Sequence, residues 1–250
     1  MQNSTGRVRP KAEMFYVQMA VVCLAVALLG FAPTFWLPLA RGQFHANPVV
    51  YLHGSVFFSW GVFYIWQAWL AETNRLQRHR AVGLAGVSLA TLMVVLGVLV
   101  SLNSTHLAAG AGQLDAALAF SFIPLSSIAF FAVFFVAAIV NARRRERHKR
   151  LILVAAVSLL GAAVARWGIV FFAPPGPPGP PPPFVDVPPS VVADLLLVVA
   201  MIRDKRVTGR VHPAYTIGLV SNLALKAIEA PFAATALWHG WAAAIYSLAA

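Results

Sequence analysis

Charge is scarce in this sequence. Only 8 of its 250 residues are acidic and 11% are charged in all, while 60% are hydrophobic. Runs such as MFYVQMAVVCLAVALLGF and VGLAGVSLATLMVVLGVLV carry no charged face, which excludes a soluble helical domain, where apolar and polar faces alternate at helical period. The one cysteine, Cys23, excludes a disulfide framework and a cysteine-rich metal motif. No Gly-x-Ser-x-Gly elbow, phosphate-cradling loop or His-Glu-x-x-His motif occurs, so no catalytic constellation stands out.

What is present is a series of apolar runs long enough to cross a bilayer as helices. The expected fold is all-α, a polytopic membrane bundle of seven transmembrane helices. These run roughly Glu13 to Phe35, Pro48 to Ala71, Ala81 to Leu102, Gln113 to Asn141, Lys149 to Phe172, Pro189 to Ile202, and Pro213 to about Leu237. Residues 1–12 form an N-terminal segment, residues 13–240 a single helical domain, and residues 241–250 an apolar tail too short for another crossing. The sixth run is the shortest, about 14 residues or 21 Å of helix against a hydrocarbon core of about 30 Å. The prolines of 174–188 predict a stiff, extended outer loop.

The net charge of +11 comes from basic residues gathered into short connections, RLQRHR, RRRERHKR and RDKRVTGR. Such clustering points to contact with an anionic inner leaflet and not to nucleic acid. It places the amino terminus in the cytoplasm of a bacterial-type inner membrane and the carboxyl terminus outside. Helices two and three, four and five, and six and seven then form three parallel hairpin repeats, each with a histidine at its basic turn: His79, His148 and His212.

Ionisable residues inside spans are costly and mark functional sites. Counting about 1.5 Å per residue from the helix ends puts His53, Arg166, Asp194, Lys226 and Glu229 roughly 5 to 10 Å inside the outer boundary. Two cations there could balance two anions. Tyr215, Asn222, Lys226 and Glu229 share one face of the last helix, and His53, Phe57, Trp60, Tyr64 and Gln67 form a second stripe, a polar and aromatic lining suited to a flat ligand. Both patterns also fit ordinary core packing and helix pairing. The expectation is an outward-facing ionisable cavity that binds or transports a small molecule, ion or proton. A redox protein holding haem or a transition metal through His53 and His106, or through His79, His148 and His212, is the second reading. A membrane scaffold or assembly factor using the proline loop is the third.

The order LHG, QAWL, RHRAVGLAG, then RHKRLILVA with ARW, then TGRVHPA resembles a widespread family of uncharacterised bacterial multi-pass membrane proteins. The resemblance covers nearly the whole chain after the first helix, and the matching positions are His53, Gln67, His79, His148, Arg166 and His212. It implies no activity. A fainter likeness, carried by His53 and His79, is to di-haem transmembrane b-type cytochromes, although the fourth helix contains no histidine. Asn222-x-x-x-Lys226 is similar to the retinal-lysine region of microbial rhodopsins, but the third run supplies neither the arginine nor the carboxylate that retinal would need.

Overall fold

A computed structural model describes residues 14–172 and 179–248. The amino-terminal segment and the first residues of the proline loop lie outside the described residues. The α-helices among the described residues are α1 Phe15–Gly30, α2 Leu37–Ala40, α3 Pro48–Glu72, α4 Leu76–Gly110, α5 Leu114–Val140, α6 Arg145–Ser158, α7 Gly161–Phe172, α8 Val187–Thr208, α9 Pro213–Ala233 and α10 Ala236–Ser247. No strand occurs among the described residues. Among the described residues, five helical stretches are long and apolar enough to span a membrane, and up to seven if each of two bent pairs is one span.

The distribution of polarity is that of a protein in lipid. Asp204 and Glu229 are completely buried, whereas Val133, Val136 and Val140 of α5 are 59 to 79% exposed. Water would reverse that arrangement, because apolar surface is driven inward and carboxylates outward only in an aqueous surrounding.

Local chemistry sets the helix ends. Pro48 and Pro213 occupy first-turn positions, where their missing N–H costs nothing. His212 caps α9 by accepting the Ala214 N–H at its Nδ1, 3.1 Å away. α8 ends at Gly209, whose φ of 77° is a left-handed conformation that glycine adopts without strain. A π-helical turn over Ala32–Trp36, containing Pro33, bends the first span by 45°.

Two expectations need correction. The sixth span is not short: a 3₁₀ turn at Pro183–Asp186 runs directly into α8, giving 26 residues from Pro183 to Thr208. Its charged end, Arg203 to Arg206, extends the helix past the apolar run because Asp204 is buried against α6. The fifth run is not one continuous helix either, since α6 and α7 are separated by a break at Leu159–Leu160.

The main core is apolar and lies among α1, α3, α4, α5, α6, α8 and α9, around Met93, Phe131, Leu153, Leu197 and Tyr215. Close helix approaches depend on glycine. A side chain at Gly30 would collide with the Ala163 main chain of α7, and one at Gly218 would lie 2.5 Å from Val154 Cγ1 of α6. α10 turns 86° away from α9 and is held across the end of the bundle by the Trp238 indole, which donates to the Leu118 carbonyl at 2.9 Å.

Candidate functional site

The last turns of α9, the start of α8 and the preceding 3₁₀ turn bring a charged cluster together at the end of the bundle opposite the basic connections. Lys226 Nζ donates to Asp186 Oδ2 at 2.6 Å and to Glu229 Oε1 at 2.7 Å. The hydroxyl of Ser190 donates to Asp186 Oδ2 at 3.0 Å, and that of Ser126, from α5, to Glu229 Oε1 at 3.3 Å. One helical turn before the lysine, Asn222 Nδ2 donates to both Asp194 oxygens, at 3.1 and 2.9 Å. All three carboxylates and the lysine are buried, none above 7% exposed.

The α9 spacing explains this convergence. Tyr215, Asn222, Lys226 and Glu229 are all buried, so the face expected from their spacing is the inward face of the helix. Asp194 follows Asp186 and Ser190 on the same face of the α8 entry, at successive intervals of four.

The charges do not balance. With Asp186, Asp194 and Glu229 ionised, one lysine faces three carboxylates, a surplus of two negative charges in a buried setting. Glu229 Oε2 has no hydrogen-bond partner among the described residues. An unpartnered buried carboxylate oxygen is expensive unless it carries a proton or meets a cation.

Other residues singled out by sequence lie elsewhere. Arg166 is not joined to these carboxylates: its guanidinium rests 5.2 Å above the Phe31 ring. α7 packs against α1 and α8, which places this arginine beside the residue that follows α1. His53 packs on Phe57 with ring centroids 4.1 Å apart in a tilted arrangement. Trp60 and Tyr64 stack at 5.5 Å, and Trp60 meets Phe131 edge-on, so these rings of the α3 stripe pack on each other and on α5.

Nor does the structure gather the histidines into a ligand set. His106 lies 3.4 Å from the Tyr246 hydroxyl of α10 and is not paired with His53. The rings of His79 and His148 approach to 6.3 Å, but their Nδ1 atoms are engaged with the carbonyls of Gln67 and Ala138, at 3.3 and 2.8 Å. In two hairpins, then, the turn histidine of the second helix clamps the main chain of the first. His212 instead caps its own helix. Among the described residues no group of three or more His, Cys, Asp or Glu side chains could hold a metal ion.

Sequence reasoning missed Asp186, which lay in the segment read as an outer loop, and the serines 126 and 190, whose small hydroxyls carry no signal in a span. It also missed a second buried ion pair. Arg150 binds Asp204 through two parallel hydrogen bonds of 2.8 Å, tying α6 to α8, and reaches Glu146 at 2.6 Å. This pair has its charges matched and its geometry bidentate, so it reads as a structural tie, whereas the Lys226 cluster retains unmatched acid. Comparisons with known proteins give no relative to read these residues against: no family model, curated protein or solved structure matches the chain.

Proposed function

We propose that this integral membrane protein carries protons across the membrane by way of the Asp186–Lys226–Glu229 cluster, which exchanges them with the outer face. The observation that carries the reading is the surplus of buried carboxylate over lysine, with one oxygen of Glu229 unpartnered. Lys226 holds one oxygen of each neighbour and keeps the site formed, and Glu229 exchanges the proton. Asp194, steadied by Asn222, is the adjoining acceptor. The same proposal places the basic connections in the cytoplasm and the cluster toward the outside of a bacterial-type inner membrane, with seven spans. Membership of the family of multi-pass proteins that the motif order resembles fits this topology and adds no activity.

The test is proton flux into liposomes containing the purified protein and an entrapped pH indicator, driven by a potassium diffusion potential. Wild-type protein should acidify or alkalinise the lumen with the sign of the potential, and Glu229→Gln should abolish the flux while remaining folded. A wild-type protein that moves no protons under either sign of the potential would overturn the proposal.

A further inference from the structure

Buried polar atoms left without a protein partner are concentrated on one helix. Of the seven found among the described residues, four belong to α3: His53 Nδ1, Tyr64 Oη, Gln67 Nε2 and Glu72 Oε2. The last three form a series in the half of α3 that ends at the basic connections. Tyr64 and Gln67 are one turn apart, so their Cβ atoms are about 5–6 Å from each other and one small polar molecule can reach both side chains. Glu72, at the end of the helix, is partly exposed, and its other oxygen accepts the Tyr16 N–H at 3.3 Å. Above Tyr64 the series is closed by Trp60, which stacks on it and is wedged against Phe131.

The three groups differ in chemistry: a hydroxyl, an amide donor and a carboxylate acceptor. Water can accept from Gln67, accept from or donate to Tyr64, and donate to Glu72. A bound water needs about 10–15 Å³ and two or more polar partners, and this seam supplies the partners. Tyr64 is only 8% exposed, and a hydroxyl so buried without a partner is a cost that few cores retain. Tyr215 is the internal contrast, because it is more deeply buried yet bonded to the Tyr16 hydroxyl at 3.2 Å.

We infer that the inner face of α3 is a water-binding half-channel. Water enters beside Glu72 from the basic face, bridges Gln67 and Tyr64, and stops beneath Trp60. The site is separate from the Lys226 cluster and stands or falls independently of the function proposed for it.

The experiment is radiolytic hydroxyl-radical footprinting of the native protein, in which radicals generated from bound water oxidise the side chains that touch it. Tyr64 should be oxidised several-fold faster than Tyr215. Equal or slower oxidation of Tyr64 would overturn the inference. The direction of entry is read separately in a Cys23→Ala background, with a cationic methanethiosulfonate reagent applied to the basic face. Gln67→Cys should react while Phe57→Cys, beyond Trp60, should not; reaction at both or at neither would also overturn it. If these variants fail to fold, the footprint of the native chain decides alone.

Discussion

Lys226 and Glu229 make one hydrogen bond to each other, but their removal has opposite consequences for charge. Lys226→Met would leave Asp186 and Glu229 as buried carboxylates without a cation, a loss of about 3–5 kcal/mol by comparison with other broken buried pairs. Glu229→Gln keeps the size and an acceptor for Lys226, removes surplus negative charge, and leaves Asp186 to neutralise the lysine. Its cost should fall below about 1 kcal/mol, within the range of a single net hydrogen bond. Thermal unfolding in detergent checks the order: Lys226→Met should melt well below wild type and Glu229→Gln close to it. His212 gives the pH counterpart. Burial, with the nearby charge of Arg150, holds its pKa below the usual histidine value, and the neutral ring is the form that accepts the Ala214 N–H. The unfolded chain therefore binds a proton first as the pH drops, and this contribution to stability is complete above about pH 6.5 and lost as the pH falls from there toward the folded pKa. Replacing it by asparagine, which caps without titrating, should flatten the melting temperature across that window. These residues differed in legibility. Lysine or glutamate in a span announces itself by its cost, whereas Ser126 and Ser190 do not, and Asp186 was hidden by the prolines around it.

At the scale of helices, the join between α6 and α8 rests on Arg150 and Asp204, at 3% and 0% exposure. Asp204→Ala should cost about 3 kcal/mol, because Arg150 loses the carboxylate that two of its buried donors share and keeps only the exposed Glu146. The double replacement Arg150→Met with Asp204→Leu should recover most of that loss, since matched apolar side chains avoid desolvating either charge. Chemical or thermal denaturation of the single and double variants separates the two cases, and a double variant no better than Asp204→Ala would refute the matched-pair account. The sequence placed both residues in basic connections, where an arginine among arginines looks like a topological anchor. Its inward direction depends on the α6 phase, and Arg150 is the first buried residue of that helix. Arg166 lies on the Phe31 ring and not against the carboxylates of the cluster, because hydropathy marks where a helix lies and not which neighbour each of its turns meets.

For the whole molecule, composition was enough to establish an all-helical membrane protein, because apolar length and absent charge follow directly from the cost of exposing backbone and charge to lipid. The count between five and seven turns on the two bent pairs, and bends are set by residues that hydropathy averages away, such as Pro33 and the Thr235 cap that starts α10. Seven crossings require both Phe15–Ala40 and Pro213–Ser247 to traverse the bilayer, with α10 lying nearly perpendicular to α9 across the end of the bundle. Fusions to alkaline phosphatase, which is active only outside the cytoplasm, separate the alternatives. Fusions after Ala142 and after Gly209 should be inactive, and those after Pro181 and after Ser247 active. An inactive fusion after Ser247, with the other three as expected, would mean that α9 does not cross. Lys226 and Glu229 would then sit in a re-entrant helix, and the path of any proton between the cluster and the outer face would have to be sought through α5 and Ser126.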